Sequence, residues 1–483
     1  MSPGSPLDRV HAPLQQWAQS RGENVALRSG AFALSFSQLQ EQVSAGARAL
    51  QEAQAPEALM VDASLPIAQR LVAFLSIVAS GRCAVVGDPD WPASVRQAVQ
   101  AALPNNPASM PQPEGSTPFY IGYTSGSTGS PKGYRRNHRS WAESFRACLQ
   151  AFGPEAGSCV LAPGRDSQSL FLFGMLLGLW SGAGVVLQEH FSANAALDTL
   201  RSGLTPCLVA VPSQLLMMLE AARHQNQAPI GTVRLILVSG SRWMRSRTPE
   251  LRALFPAARI IEFYGASETS FIAWMDTDEH APAAVVGRPF AQVELRFEAP
   301  QAEDAAGLIF VRSPMVFMDY VGGANDATAA LRDGDWISVR DLGYLDAQGR
   351  LCLVGRQNRM LVTLGKNLFP EEVESVLERH PAIASASVHG LSDALRGLQV
   401  VAVLQWAPRL TSKRPDTLAL KAWCRQHLEG YKVPRRFFSC EEWPMTASGK
   451  TAHAHLGQRL NAYHDGPEAT TPASDTAWMC PLP

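Results

Sequence analysis

Residues Pro118–Gly133 read PFYIGYTSGSTGSPKG. The leading PFYIGYT is rich in aromatic and β-branched residues and predicts a strand. Glycines and hydroxyls follow it without a break: Thr124, Ser125, Gly126, Ser127, Thr128 and Gly129, closed by Pro131, Lys132 and Gly133. Glycine allows positive φ and close backbone approach, so successive N–H groups can converge on one anion. The hydroxyls add donors, and Lys132 adds a positive charge. A strand running straight into such a loop predicts a polyphosphate site at the end of a sheet. A flexible Gly/Ser linker has no use for that strand, nor for a proline and lysine that stiffen and charge its end.

The loop is not a P-loop, which needs GxxxxGK followed by Ser or Thr. Lys132 is followed by Gly133, and Pro131 stands where the second glycine should be. PMTASGKT at Pro444–Thr451 fails as well, because Pro444 replaces the first glycine and has no N–H.

On both sides of the loop, short runs such as ALMVDAS, CAVVGD, CLVAVP, RLILVSG and RIIEFYG alternate with longer amphipathic stretches. This alternation predicts strands with crossover helices, an α/β fold. After Gly287, QVELRFEAP, GLIFVRS and WISVRDLGYLDAQGRLCLVGR read as strands joined by close turns. Near Met360 the texture changes again. Pro370 opens a helix with Glu371 and Glu372 in its first turn and Val373, Val376 and Leu377 on its apolar face, and Pro381 ends it. A second helix is expected over Thr417–Glu429, with Leu420, Trp423, Cys424, His427 and Leu428 on one face and Gly430 as its stop. Residues 465–483 are polar and proline-containing and read as a disordered tail.

At 483 residues the chain is too long for one core and should divide into domains. Hydrophobic residues make up 46% and charged residues 18%, as in soluble globular proteins. The 42 basic and 43 acidic residues leave a net charge of -1, so no nucleic-acid or membrane-surface partner is expected and any anion must be bound locally. Eight cysteines are scattered singly, which predicts neither a disulfide framework nor a zinc site. MSPGSPLDRV has no basic n-region or apolar core, so the expected location is cytoplasmic. The uncharged run Ser167–Gln188 has the length of a bilayer span, but SGAG at Ser181–Gly184 interrupts it. The expectation is a buried helix over Ser169–Trp180, then a buried VVL strand, and no membrane span.

YTSGSTGSPKG resembles the signature loop of the adenylate-forming (AMP-binding) superfamily of acyl-CoA and aryl-CoA synthetases, which includes peptide-synthetase adenylation domains and luciferases. Other stretches resemble that family in the family's own order. EFYGASET at Glu262–Thr269 resembles the strand and turn that hold adenine and the metal. RDLGYLDAQGRLCLVGR at Arg340–Arg356 resembles the ribose-binding and hinge region. LGKNLFPEEVE at Leu364–Glu374 resembles the start of the small domain, and YKVPRRF with PMTASGK resembles the segment carrying the catalytic lysine. EFYGASETSFI looks closest to bacterial fatty acid-type acyl-CoA ligases. The resemblance implies an α/β architecture with a large N-terminal domain over 1–357, made of β-sheets with flanking helices plus a β-barrel-like subdomain. A small mobile α+β domain over 358–464 would act as its lid.

The same resemblance implies roles for the matching positions. Thr124, Ser125, Gly126, Ser127, Thr128, Gly129 and Lys132 would hold the phosphates of ATP, with Thr124 beside the metal. Glu268 would hold Mg²⁺ against phosphate oxygens; a lone loop glutamate is otherwise a solvated acid. Tyr264 would flank adenine, with Gly265 and Ala266 leaving it space. Ser267, where threonine is usual, would keep a hydroxyl for the α-phosphate. Asp341 would accept both ribose hydroxyls, and Arg356 would assist at ribose or phosphate. Lys450 would neutralise charge developing at the α-phosphorus and orient the carboxylate. Asn358 occupies the hinge position, and Gly365 and Lys366 would line the thiol path after lid rotation. Gln168, Phe171, Ser239 and Gly240 would border the acyl pocket.

Some positions depart from the family's pattern. Arg340 precedes Asp341 where glycine is usual, Thr363 stands where many members have lysine, and Gln168 where His or an aromatic residue is frequent. His453 replaces an arginine. None removes a phosphate, metal or ribose contact, so tuning is expected. Asp166 resembles in position the aspartate that pairs with a substrate amino group in amino-acid-activating members, but Arg165 beside it offers a local ion pair.

The implied reaction joins a carboxylic acid, of fatty type on this likeness, to a thiol in two halves.

ATP and Mg²⁺ with the acid give an acyl-adenylate and pyrophosphate, and CoA then takes the acyl group as a thioester. Two other readings stay open: a stand-alone adenylation enzyme that loads an aryl or amino acid onto carrier-protein phosphopantetheine, and an adenylate-binding sensor without turnover. Lys450 and Glu268 argue against the sensor.

Overall fold

The computed structural model describes residues 6–104, 106–124, 131–298, 306–321, 330–363, 366–393, 397–407, 414–446, 449–465 and 479–482. Among them, fifteen strands form one continuous hydrogen-bonded sheet. Its parallel part follows the apolar runs of the sequence. Cys207–Ala210 lies between Val160–Ala162 and Leu235–Val238, and the latter pairs in parallel with Arg259–Ala266. Strands covered on both faces need apolar side chains on both, so Cys207–Ala210 and Leu235–Val238 are buried throughout. The helix Ser169–Trp180 is one of the covers and is buried from Phe171 to Trp180. The strand Val185–Leu187 follows it, as expected. No helix among the described residues is long and apolar enough to cross a membrane.

A second sheet of five strands carries the glycine-rich loop. Ala58–Met60, Cys83–Val85 and Pro118–Thr124 run parallel, and Pro118–Thr124 then pairs antiparallel with Lys132–Asn137. The expected strand PFYIGYT is therefore present over its full length, and Thr124 faces Lys132 across the ladder. Ser125, Gly126, Ser127, Thr128 and Gly129 lie outside the described residues. Asp319–Tyr320 completes this sheet by pairing with Arg135 and Tyr134.

Beyond Arg259–Ala266 the large sheet becomes antiparallel, through Ser270–Asp276, Val285–Pro289, Leu351–Arg356, Asp341–Leu345 and Gly307–Arg312. No ladder among the described residues closes these strands into a barrel. After them come a two-stranded ribbon and a four-stranded sheet of Ile383–Asp393, Gly397–Trp406, Arg436–Cys440 and Met479–Pro481. This last sheet has a core of its own, in which Val373, Leu377, Val388, Leu404, Leu420 and Phe437 are buried together.

Two details differ from the sequence reading. The second helix of this part ends at Arg425 instead of Glu429, because the N–H groups of His427 and Leu428 both turn back to the Cys424 carbonyl. His427 is left exposed. The tail is not featureless either. Met479–Pro481 adds to the sheet edge, with Ser439 opposite Cys480, because a strand edge offers unpaired N–H and C=O groups to any extended segment in reach. The rest of the expected tail, 466–478 and Pro483, lies outside the described residues.

Candidate active site

The strand Arg259–Ala266 buries Ile260 and Ile261 and is half-buried from Phe263 onward. The ladder shifts register between Tyr264 and Gly265. A side chain at Gly265 is impossible there, since its Cβ would lie 1.8 Å from the Ser270 carbonyl oxygen. The turn that follows is tied by Thr269, whose N–H donates to the Ala266 carbonyl and whose hydroxyl accepts from the Ala266 N–H, both at 3.2 Å. It presents Ser267 and Glu268. The Glu268 carbonyl accepts from Phe317 N–H at 2.7 Å, and Glu268 Oε1 accepts from the Tyr320 hydroxyl at 2.9 Å. The Ser267 hydroxyl lies 3.3 Å from that of Ser169 and hydrogen-bonds Tyr134.

Asp341 is buried at the start of its strand. Its carboxylate accepts from Arg356 Nε at 3.0 Å and from the Tyr264 hydroxyl. Burial and the neighbouring Asp341 push the Tyr264 phenol well above 10, so it remains a donor. Asp341 in turn raises the Arg356 guanidinium. Arg340, just before Asp341, sits at φ 67°, a left-handed conformation suited to glycine.

Lys450 ends a tight turn bridged by Met445 and Thr451. Thr446 holds it twice: its N–H donates to the Lys450 carbonyl at 2.7 Å, and its hydroxyl accepts from the Lys450 N–H at 3.1 Å. Gly449 brings the turn against the Pro212–His224 helix, where an added Cβ would lie 3.4 Å from Ser213 Oγ and 3.8 Å from Val211 Cγ2. Lys450 is exposed to solvent, while protein atoms crowd around its ammonium. Burial and then the Arg356 cation lower the Lys450 pKa, while Asp341 and Glu268 pull it back up. A lysine from the C-terminal part thus shares one electrostatic environment with Asp341, Arg356 and Glu268.

Asn358 falls in the short turn Gln357–Arg359 that follows the strand ending at Arg356. The next residue, Arg359, grips Glu371 at 3.0 Å and Glu374 at 2.6 Å. His453 packs on the same cluster, 2.7 Å from Ser387 Oγ and 3.3 Å from Arg359. Burial and the Arg359 charge push its pKa down to about 3, so the residue standing where arginine is usual is neutral. Thr363 is buried and donates to the Leu398 carbonyl at 2.7 Å, a contact of the fold. Lys366 lies over the Tyr431 ring at 4.9 Å, and Gly365 lies outside the described residues.

Of the residues expected at the acyl pocket, Ser239 donates its hydroxyl to the Phe263 carbonyl at 2.8 Å. Gly240 faces Val211, the residue that also meets Gly449. Gln168 is the N-cap residue of the Ser169–Trp180 helix, and Phe171 is buried against Gly164. The local pair Arg165–Asp166 does not form. Asp166 is buried and holds Arg70 Nε through both oxygens, at 3.2 and 3.1 Å, while Arg165 pairs with Asp88 and Asp90.

Sequence reasoning passed over Tyr320, Tyr134 and Arg136. The last two follow the loop in YRRN, and the period of two in the strand Lys132–Asn137 turns both inward and Arg135 outward to Asp319. That alternation was the available signal. For Tyr320 there was none, because its partner Glu268 is 52 residues away. Among the described residues no group of three or more His, Cys, Asp or Glu side chains could hold a metal ion. One carboxylate aligned by a tyrosine hydroxyl suits Mg²⁺, which takes one or two protein carboxylates and completes its shell with phosphates and water.

The chain matches the AMP-binding enzyme family over residues 93–321 and the AMP-binding enzyme C-terminal domain over 372–450. It is 36% identical over 356 residues to the uncharacterized acyl-CoA ligase YhfT of Bacillus subtilis, covering 73% of this chain and 70% of that one. It is 30% identical over 343 residues to a Staphylococcus epidermidis protein that carries the name of a long chain fatty acid-CoA ligase, VraA, covering 71% of each. The fold matches O-succinylbenzoate coenzyme A synthetase of Bacillus subtilis in complex with ATP and magnesium, with a TM-score of 0.78, 23% identity, and coverage of 92% and 98%. On these likenesses the chain belongs to the AMP-binding enzyme family as an AMP-forming acid–CoA ligase.

Proposed function

We propose that the chain activates a carboxylic acid of aliphatic, fatty type with ATP and transfers it to CoA. Residues 1–357 act as the body, and residues 358–464 act as the lid that brings Lys450. The observation that carries this reading is the convergence of Lys450 with Asp341, Arg356 and Glu268.

In the first half, an oxygen of the acid attacks the α-phosphorus and the bond to pyrophosphate breaks. Asp341, aligned by Tyr264 and Arg356, accepts from the ribose. Lys450 offsets the negative charge that builds at the α-phosphate as the acid's carboxylate approaches. Ser267 donates its hydroxyl to the same group, and Glu268 with Thr124 would hold the metal. Mg²⁺, when bound, supplies charge neutralisation for the pyrophosphate leaving group. In the second half, the CoA sulfur attacks the acyl carbon and AMP leaves. Lid rotation at Asn358 removes Lys450 and brings Lys366 toward the thiol path.

Aliphatic acids are favoured over amino acids because Asp166 is committed to Arg70 and cannot meet a substrate ammonium. The test is pyrophosphate release with MgATP across fatty, aryl and amino acids, with and without CoA. Thioester product with a fatty acid and acceleration by CoA are expected. Release that CoA does not accelerate, with an aryl or amino acid preferred, would replace this reading by carrier-protein loading.

A further inference from the structure

Arg136 is 1% exposed, yet no carboxylate among the described residues pairs with it. Its guanidinium is held by neutral acceptors only. Nη1 donates to the Ser267 carbonyl at 2.7 Å, Nη2 to Ser270 Oγ at 2.7 Å and to the Met315 carbonyl at 2.6 Å, and Nε to Ser140 Oγ at 3.2 Å. Two of these acceptors, Ser267 and Ser270, bracket Glu268. The same strand places Tyr134 two residues earlier, bonded to Ser267 on one side and 3.0 Å from the Tyr120 hydroxyl on the other. Gly122 makes this pair possible, since a Cβ there would lie 2.2 Å from one phenol oxygen and 2.3 Å from the other.

A buried guanidinium that serves only to tie loops together would ordinarily be matched by an acid, because an unmatched buried charge is unfavourable. Burial pulls the Arg136 pKa down to about 10, so the group is still charged at neutral pH, and the Glu268 carboxylate supports that charge. At low effective dielectric such a charge acts over several ångströms on whatever anions gather at the turn.

Resting on the ligase reading above, we propose that Arg136 is a positioning residue for adenylation. It fixes the Ala266–Ser270 turn so that Ser267 and Glu268 face the reacting groups, and its unmatched positive charge offsets Glu268 as the anionic acid and α-phosphate come together. It touches neither substrate. Tyr134 extends the same support to the Ser267 hydroxyl.

The test separates the two half-reactions in R136Q, R136K and wild type. Acid-dependent ATP–pyrophosphate exchange reports the first, and thioester formation from supplied acyl-adenylate and CoA reports the second. R136Q should lose at least 30-fold in exchange, R136K should recover most of that loss by keeping the charge, and transfer from supplied adenylate should change less than 3-fold in both. Equal losses in the two half-reactions, or exchange in R136Q equal to wild type, would overturn the proposal. Should R136Q not fold, S270A removes one acceptor and keeps the charge. A several-fold loss confined to exchange then supports the proposal, and an unchanged rate overturns it. Absence of exchange in wild type with every acid tested would instead overturn the ligase reading itself.

Discussion

Tyr320 donates its hydroxyl to Glu268 Oε1 across 2.9 Å, from a strand that pairs directly with the one following the glycine-rich loop. The sheet that carries the loop therefore also aims the Glu268 carboxylate, the proposed metal ligand. Removing the hydroxyl in Y320F should cost about 1 kcal/mol of that alignment. The expected outcome is an Mg²⁺ concentration for half-maximal pyrophosphate release raised about 3–10-fold, with the thermal midpoint little changed. A Mg²⁺ titration of wild type and Y320F checks it, and superimposable curves would refute the link.

Lys450 carries a lowered pKa, through burial and the Arg356 cation. Its ammonium is the form that offsets charge, so adenylation should fall on the alkaline side at a pH below the 10.5 of an ordinary lysine. K450A should lose on the order of 10²–10³-fold in adenylation, while transfer from supplied adenylate survives. K450R should move the alkaline limb out of range. A K450A enzyme that releases pyrophosphate at the wild-type rate would remove the lysine from the mechanism.

Arg340 holds a left-handed backbone without being glycine, and its side chain bonds Gln357 at 3.2 Å. R340G should therefore stabilise the protein by about 0.5–1 kcal/mol, the relief of φ strain less the added freedom of the unfolded chain. Chemical unfolding checks this, and a lower midpoint for R340G would show that the side chain matters more than the backbone.

The carboxyl of Glu378 is raised to about 7 from 4.5, chiefly by burial, with Glu374 adding to the shift and Arg242 and the Ala386 N–H opposing it. Between those two values the folded state binds the extra proton, so this group's contribution is full below pH 4.5 and is lost as pH rises through 7. E378Q should raise stability at pH 8 by on the order of 1–3 kcal/mol and do much less at pH 5. Equal effects at the two pH values would place the carboxyl in an ordinary environment.

The strands and helices that depend on local pattern were legible. PFYIGYT, the helix Ser169–Trp180 and the helix begun by Pro370 lie where periodicity and end signals put them. Glu268, Asp341, Arg356 and Lys450, each picked out by its motif, share one electrostatic environment although 182 positions separate the first from the last. What could not be read were partners brought together by topology. Asp166 passes over its neighbour Arg165 for Arg70, which lies 96 residues earlier. Arg136, in a sequence of adjacent arginines, is drawn inward by strand parity while Arg135 stays at the surface. The position of the Arg340 backbone was visible only as an unusual residue before Asp341; its φ gives that oddity a physical meaning.

The added edge strand Met479–Pro481 has a practical consequence. Its Cys480 is the exposed member of eight free thiols, six of which are buried and one, Cys159, half-buried. A maleimide fluorophore would therefore label the C-terminal sheet selectively without any engineered cysteine. Paired with a bound fluorescent nucleotide, that native handle would report the proposed lid rotation as a change in energy-transfer efficiency.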